Sequence, residues 1–140
     1  IFSIEMVIDK KFAAQVRGDG MIIATPGGST AYSLAAGGSI VHPEVKALLV
    51  TPIAPHSLTS RPLVIPGEST LNLKLSSLGT GEHDKVFLTI DGQEGMALTR
   101  EDEVQIRTSE HSVLFAKSQS KTYYQVLSTK LKWGSQNSNS

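Results

Sequence analysis

The segment from residue 18 to residue 38 combines glycines with hydroxyl side chains, which suits it to bind a small polar ligand. A short apolar run, residues 21–24, leads into a turn with two consecutive glycines, and Ser29 and Thr30 follow. Glycine lets a ligand approach the backbone, and the first N–H groups of a helix can bond a nucleobase, a carboxamide or a phosphate. The pattern indicates a binding turn, although glycine-rich turns are also common as purely structural connections.

The common phosphate-binding and catalytic motifs are missing from this segment. It has no Gly-Lys-Ser/Thr sequence of a Walker-type loop and no Gly-x-Gly-x-x-Gly after a strand. Residues 27–31 differ from the nucleophile elbow of a serine hydrolase because Ala31 replaces the final glycine. The chain also lacks the alternating helices and strands on which such an elbow sits, so we disfavour a serine hydrolase.

The amino-acid composition excludes several further classes of protein and of binding site. Thirteen basic and thirteen acidic residues give a net charge of zero, without the basic patch typical of proteins that bind nucleic acids or anionic membranes. The absence of cysteine excludes a disulfide scaffold and a thiolate metal site, and the four histidines lack metal-ligand spacing. With neither a membrane-span pattern nor a signal peptide, we expect a cytoplasmic protein, with an organelle as the alternative.

Hydrophobic alternation predicts a mainly β fold, a β-sandwich-like stack of sheets, within one domain of 140 residues. A short helix over residues 31–36, capped by Ser29 or Thr30, follows the glycine-rich turn. A C-terminal helix is expected over residues 123–133, with Tyr124 and two leucines on one face. The predicted strands cover residues 2–8, 12–16, 21–24, 47–50, 63–65, 70–75, 86–90, 103–108 and 112–116.

Short motifs stand in a fixed order from residue 19 to residue 93 and resemble the carboxy-terminal domain of the NAD kinase family. The match includes Gly28-Ser-Thr-Ala-Tyr-Ser-Leu34, which is the longest of these motifs. The others are residues 19–20, 25–26, 36–38, 40–43, 52–53, 55–58, 61–62 and 91–93. So many fixed residue types at fixed spacing make this a specific match.

The resemblance implies an NAD-binding, β-rich carboxy-terminal domain over residues 1–118, followed by a C-terminal helix or tail over residues 119–140. The family's amino-terminal α/β domain carries a Gly-Gly-Asp-Gly loop for phosphates and catalysis, and this sequence lacks it. We therefore expect no catalytic and no metal-binding residue in this chain, which alone should be inactive. Because it begins with Ile1 rather than methionine, we expect a piece of a longer protein.

For the parent protein, the resemblance implies transfer of the terminal phosphoryl group of ATP to the 2′-hydroxyl of the adenosine ribose of NAD, which gives NADP. Its substrates would be NAD and ATP, its cofactor a divalent metal such as magnesium or manganese, and its assembly a dimer or tetramer. Two alternatives stay open. One is a non-catalytic nucleotide-binding or oligomerisation module, and the other is a lipid-kinase-like relative.

Four residues of the glycine-rich turn are implied to bind the adenine. Thr30 and Ala31 would contact the base through side chain and backbone, Tyr32 would pack against the nucleotide, and Gly28 would allow close approach. These are suitable groups, since an aromatic face packs on a ring and a short hydroxyl bonds a base edge. Gly27 departs from the family, which usually has a hydroxyl residue there.

Three further residues are implied to line the pocket from other parts of the chain. Asp19 would contact the nicotinamide end of the ligand, and that ligand would be bound mainly by a neighbouring subunit. Ala54 would offer its backbone to a base or carboxamide. Asp91 belongs first to an Asp-Gly hairpin turn, and facing the pocket would be its second role.

Two loop histidines and one arginine have structural explanations that we favour over catalytic ones. We expect His42 and His56 to hydrogen-bond backbone groups rather than act as general bases. Arg61 precedes a proline, and we expect it to bind carbonyl or carboxylate groups more than a phosphate. His83 and His111 are expected to be solvated turn residues.

Overall fold

The computed structural model describes residues 1–77, 85–116 and 120–132. Its strands are β1 (Phe2–Ile8), β2 (Lys11–Gly18), β3 (Gly20–Ala24), β4 (Ala47–Ile53), β5 (Leu63–Pro66), β6 (Leu71–Ser77), β7 (Val86–Ile90), β8 (Glu94–Leu98) and β9 (Glu103–Ile106). Its helices are a 3₁₀ helix (Pro26–Thr30), α1 (Tyr32–Ala35) and α2 (Tyr123–Leu131).

Antiparallel pairing organises the strands into three sheets. The first has the order β2-β1-β6-β9, the second β3-β4-β5, and the third is the β7–β8 hairpin. Asp9 and Lys10 connect β1 to β2 with positive φ angles of 48° and 65°. Left-handed residues at both central positions match the twist of a tight hairpin, so this turn supports the pairing.

Side chains from the first two sheets form one hydrophobic core. Met6 and Leu71 come from the four-stranded sheet, and Leu48, Val50 and Ile65 come from the three-stranded sheet. Alternate residues of a strand point to opposite faces, so each sheet turns one apolar face toward the other. The predicted stack of sheets is confirmed.

Strand β4 is buried on both of its faces. Leu48 and Val50 belong to the core between the sheets, while Leu49 and Thr51 point to the opposite face and are also buried. The 3₁₀ helix contacts β4, and Ser33 of the adjoining α1 is hydrogen-bonded to Thr51 on that side. The strand thus separates the sandwich core from the segment that was predicted to bind a ligand.

The structure corrects three strand predictions. Residues 112–116 form no strand, and Val113, Leu114 and Phe115 are all exposed, because apolar alternation makes a strand only where another strand pairs with it. Strand β8 was not predicted, since Gly95 and Ala97 weaken its apolar pattern. Strand β4 extends three residues beyond the predicted end, through Pro52 to Ile53.

The helix predictions hold in part. Helix α1 is shorter than predicted, and its N-cap, Ala31, makes no side-chain capping bond, so capping by Ser29 or Thr30 was wrong. Helix α2 is confirmed, and Thr122 and Gln125 form a reciprocal capping box at its start. By helical spacing Tyr124, Leu127 and Leu131 share one face of α2, as predicted, but of the three only Leu127 is buried.

The chain divides into two units, Ile1–Thr108 and Ser109–Ser140. The first contains every strand of the described ranges, and the second contains α2. The boundary at residue 118 and its assignment to an NAD-binding domain stay predictions. Across the described residues, no helix has the length and apolar character needed to traverse a bilayer.

Leu71 offers a direct test of the sandwich core because its side chain is 0% exposed. We expect Leu71→Ala to lower the free energy of unfolding by about 2–5 kcal/mol, since a cavity adds to the lost transfer energy. Leu58, which is 92% exposed, is the matched control, and Leu58→Ala should stay within about 0.5 kcal/mol of the parent. Urea unfolding followed by circular dichroism measures both, and equal effects would contradict this core.

Candidate functional site

The glycine-rich turn follows strand β3 directly. Pro26 stands at the start of the 3₁₀ helix, where its missing N–H group leaves no bond unmade. The N–H of Gly28 donates to the carbonyl oxygen of Thr25 at 2.9 Å, and the N–H of Ala31 donates to that of Gly28 at 3.0 Å. The carbonyl of Ala31 also accepts from Leu34 at 3.0 Å. Toward a ligand, Ala31 therefore offers the second lone pair of its carbonyl rather than its N–H.

Ser29 attaches this turn to a later part of the chain. Its side chain is fully buried, and its hydroxyl donates to the carbonyl of Val41 at 3.2 Å and accepts from the Val41 N–H at 3.1 Å. Both hydrogen-bonding functions of the hydroxyl are thus used. The sequence suggested a capping or binding role for Ser29, and its actual role is to hold the turn in place.

Two glycines terminate helix α1. The N–H of Gly38 donates to the carbonyl of Ser33 at 2.8 Å, and that of Gly37 donates to the carbonyl of Leu34 at 2.9 Å. Gly37 has a φ of 88°, a conformation that glycine adopts without steric cost. This bonding pattern is a Schellman motif, which fixes where the helix ends and where the chain leaves it.

A buried pair of hydroxyls joins α1 to the sheet. Ser33 Oγ lies 2.9 Å from Thr51 Oγ1 of β4, and both side chains are buried. Gly38 closes over the pair, since a Cβ atom there would lie 2.4 Å from Ser33 Oγ and 2.8 Å from Thr51 Oγ1. Only glycine fits this position without displacement of the two hydroxyls.

The predicted adenine-binding residues are exposed above these buried supports. Thr30 and Ala31 are exposed, and the Tyr32 side chain is 78% exposed. Gly28 is half-buried, and a Cβ there would make only an ordinary contact at 3.5 Å with Ala24. The turn therefore presents a hydroxyl, a carbonyl and an aromatic ring, a set that can pack against a heterocycle and bond its edge.

Asp19 and Ala54 meet at the opposite end of β3. The N–H of Asp19 donates to the carbonyl of Ile53 at 3.0 Å, so the two backbones run side by side. Gly18 permits this approach, because a Cβ there would lie 2.8 Å from the same carbonyl. Ala54 is held at a φ of 41°, which is uncommon for a residue with a side chain. At the rise of a strand, the two ends of β3 lie about 13 Å apart, with this place before its start and the turn beyond its end.

Asp91 lies in a third place, the tip of the β7–β8 hairpin. Asp91 and Gly92 have φ angles of 49° and 71°, and the N–H of Gln93 donates to the carbonyl of Ile90 at 3.0 Å. The predicted hairpin turn is confirmed. This two-stranded sheet pairs with neither of the other sheets, and Asp91 is exposed. The structure therefore places the predicted site residues on three separate elements: the turn, the start of β3 beside the end of β4, and the tip of the β7–β8 hairpin.

The structural explanations for two loop residues are confirmed. Arg61 Nη1 donates to the carbonyls of Leu58 at 2.6 Å and Ser60 at 3.0 Å. His42 Nδ1 accepts from the N–H of Glu44 at 3.3 Å. For His56, the backbone N–H donates to the carbonyl of Arg17 at 2.9 Å. His83 falls outside the described residues.

Two other features of the surface lie apart from these places. A shallow groove on the four-stranded sheet contains none of the predicted site residues, and it is lined by Val7, Asp9, Lys10, Thr70, Asn72, Gln105 and Arg107. Within residues 1–77, 85–116 and 120–132, no three side chains of His, Cys, Asp or Glu gather as metal ligands.

These observations define a β-sandwich domain with a rigidly supported, glycine-rich candidate binding turn. The sequence model of the ATP-NAD kinase C-terminal domain matches residues 1–118, and the chain belongs to this family. The resemblance found in the sequence is confirmed. The NAD kinase of Geotalea daltonii is 42% identical over 134 residues, which cover 96% of this chain and 46% of that protein. The chain thus spans about half the length of the curated relatives it matches.

Two solved structures share the fold. The crystal structure of yeast NADH kinase complexed with NADH superposes with a TM-score of 0.81 at 31% identity, covering 99% of this chain and 42% of that one. The crystal structure of an NAD kinase from Archaeoglobus fulgidus in complex with ATP has a TM-score of 0.66 at 28% identity, covering 78% of this chain and 40% of that one. The β-rich architecture is therefore that of the kinases' corresponding domain.

The close approach of Gly38 to the Ser33 and Thr51 hydroxyls leads to a prediction about stability. Gly38→Ala should lower the free energy of unfolding by about 1–3 kcal/mol, because the new methyl group displaces the buried hydroxyls. Gly27→Ala is the control, since a Cβ there would meet only Thr25 Oγ1, at 3.8 Å. Thermal melts of both variants check the difference. A Gly38→Ala protein as stable as the Gly27→Ala protein would contradict the close approach described here.

Proposed function

We propose that this chain is the NAD-binding domain of an NAD kinase, which phosphorylates the 2′-hydroxyl of the adenosine ribose of NAD with ATP to give NADP. The observation that carries the proposal is the supported turn, in which Thr30, Ala31 and Tyr32 are exposed while Ser29 and Ser33 are buried beside them. A binding site needs groups that face the ligand and do not move, and this arrangement provides both.

In this proposal the turn binds the adenine. The Tyr32 ring packs against the base, and the Thr30 hydroxyl bonds its edge. The carbonyl of Ala31 accepts a hydrogen bond from the exocyclic amine, because the Ala31 N–H already donates to Gly28. Gly28 leaves the ligand room to reach the backbone. These interactions involve no charged side chain, which suits an uncharged purine ring.

The other two places would serve the rest of the ligand. Asp19 can accept a hydrogen bond from the carboxamide N–H of the nicotinamide, and the Ala54 backbone can bond a base or carboxamide. We propose that Asp19 acts on a ligand held mainly by a neighbouring subunit, since it lies at the far end of β3 from the turn. Asp91 would face the pocket from its hairpin tip.

The chemical step is assigned to a part of the protein outside this sequence. Phosphoryl transfer depends on positioning, on charge stabilisation and on a carboxylate that accepts the hydroxyl proton. We assign that carboxylate and the phosphate-binding loop to an amino-terminal α/β domain. A divalent metal, magnesium or manganese, would supply charge neutralisation at the phosphates. The described side chains do not fit a metal site, since no three potential ligands gather among them.

The solved relatives support this assignment of substrates. The yeast enzyme named NADH kinase was crystallised with NADH, and the archaeal NAD kinase with ATP. We extend both ligand classes to the full-length form of this protein. We also propose that the protein lies in the cytoplasm, with an organelle as the alternative. A chain without cysteine is compatible with a reducing compartment, since it uses no disulfide.

The second candidate is a non-catalytic nucleotide-binding or assembly module. It is favoured by one observation: none of the residues in the three places is a catalytic base positioned against a nucleophile. A lipid-kinase-like relative is the weaker alternative, because the Pro55-His-Ser-Leu58 and Gly28–Tyr32 motifs are those of the NAD kinases. NADP formation by the full-length protein separates the kinase from the module.

The β7–β8 hairpin generates a prediction about self-association. By register, Leu88, Ile90 and Met96 share one face, and Ile90 and Met96 are 66% and 65% exposed. Apolar area of this kind is usually covered, and the family resemblance implies a second copy. Light scattering should give at least twice the monomer mass of 15.0 kDa at micromolar concentration.

Two lysine substitutions on the hairpin test which of its faces forms the contact between two copies of the chain. Met96→Lys should shift the mass toward the monomer, because burying the ammonium group is costly. Thr89→Lys on the opposite face of the same hairpin should leave the mass unchanged. A monomer at every micromolar concentration would contradict the proposed assembly, and equal effects of the two variants would contradict its place on this face.

Binding of NAD by the turn is tested with Tyr32→Ala and Thr30→Ala in the full-length protein. Loss of the packing surface or of the hydroxyl should each cost about 1–3 kcal/mol, and should raise the KM for NAD with little effect on the KM for ATP. Leu58→Ala, an exposed change outside the three places, is the control. If calorimetry shows both variants binding NAD as tightly as the parent, the adenine pocket is not on this turn.

A further inference from the structure

The buried Ser33–Thr51 pair has a property that packing alone does not explain. Thr51 is 0% exposed and Ser33 is 1% exposed, and their oxygens are 2.9 Å apart. Alanine and valine would fill the same space without two hydroxyls to remove from water, and the bond between the hydroxyls only offsets that cost. We therefore attribute to the hydrogen bond an orienting role: it fixes the orientation of α1 relative to β4.

Helix α1 depends on such external fixation. It contains four residues, too few to be stable by its own hydrogen bonds, and no side chain caps its start. Its end is fixed by Gly37 and Gly38, and its middle by the hydrogen bond between the Ser33 and Thr51 hydroxyls. The chain at Gly38 passes so close to the Ser33 hydroxyl that an added Cβ would lie 2.4 Å from it, so no side chain fits there beside the pair.

The direction of Ser33 determines the direction of Tyr32. Consecutive residues of a helix point about 100° apart, so a serine held toward the sheet turns its neighbour away from the sheet. The burial agrees with this geometry, because Ser33 is buried while Tyr32 is 78% exposed. A rotation of α1 about its axis would move the Tyr32 ring away from a ligand seated over residues 28–31.

We infer that Ser33 and Thr51 are positioning residues, which orient Tyr32 for the bound nucleotide through their buried hydrogen bond. This inference rests on the proposed function, because it supposes that Tyr32 contacts NAD. Neither hydroxyl touches the ligand. Their effect passes through the helix, and it acts on the affinity for one substrate rather than on the chemical step.

The test uses Thr51→Val in the full-length protein, a change that keeps the side-chain shape and removes the hydroxyl. We expect the KM for NAD to rise about fivefold, with kcat and the KM for ATP unchanged, as for loss of uniform binding. Thr51→Ser keeps a hydroxyl on β4 and should restore the KM for NAD. Ser33→Ala removes the same bond from the helix side, and it carries the test if Thr51→Val fails to fold.

A double-mutant cycle with Tyr32→Ala separates positioning from general destabilisation. If Thr51 acts through Tyr32, Thr51→Val should change the KM for NAD by less than about twofold once the ring is removed. An equal rise in both backgrounds, or a parallel loss of kcat and of affinity for both substrates, would overturn the inference.

The same variants distinguish failure of the proposed binding site from failure of the positioning role. A Tyr32→Ala protein with the parent KM for NAD would overturn the proposed binding site and this inference with it. A Tyr32→Ala protein with a raised KM, beside a Thr51→Val protein with the parent KM, would overturn the inference alone.

Discussion

The burial of strand β4 on both faces is the constraint on which the rest of the structure depends. One face, with Leu48 and Val50, completes the core between the two larger sheets. The other face, with Leu49 and Thr51, is covered from the side of the 3₁₀ helix. A strand enclosed in this way cannot shift by one residue without exchanging its two faces. Its register therefore fixes the core and the support of the turn together.

Two glycines allow the chain to pack closely against β4, and this packing sets the positions of the exposed residues beside them. Gly38 lets the chain close over the Ser33–Thr51 pair, and Gly18 lets the start of β3 run beside Ile53. A side chain at either place would meet atoms under 3.0 Å away. As a result, Tyr32 and Asp19 are each exposed next to backbone that cannot move far. The groups proposed to bind a ligand thus sit on rigid elements, which lowers the entropic cost of binding.

The sequence predicted the parts of this fold that depend on local pattern. Strand alternation predicted β1 and β6, which each place a residue in the buried core, and β7, which pairs with β8. It failed for residues 112–116, where no strand of the described ranges pairs with the chain. The capping role of Ser29 was plausible from its place before a helix, yet its hydroxyl bonds Val41 instead. That choice depends on a tertiary neighbour, and local sequence contains no signal for it.

The exposed residues of the candidate site could be predicted from the sequence, but the buried residues that hold them in place could not. The motif over residues 28–34 drew attention to Tyr32, whereas Ser33 received no role, and Thr51 was not singled out. Only the pairing of β3 with β4 brings Thr51 under α1. The roles of Asp19, Ala54 and Asp91 remain predictions, since Asp19 and Ala54 lie together at the far end of β3 from the turn and Asp91 lies on a separate hairpin.

The central claim is that the adenine of NAD binds on the turn of residues 26–32. A crystal structure of the full-length protein with NAD tests it most directly. The account predicts the adenine against the Tyr32 ring, with Thr30 Oγ1 and the Ala31 carbonyl within hydrogen-bonding distance of the base. An adenine bound elsewhere, with the Tyr32 ring still in solvent, would contradict it.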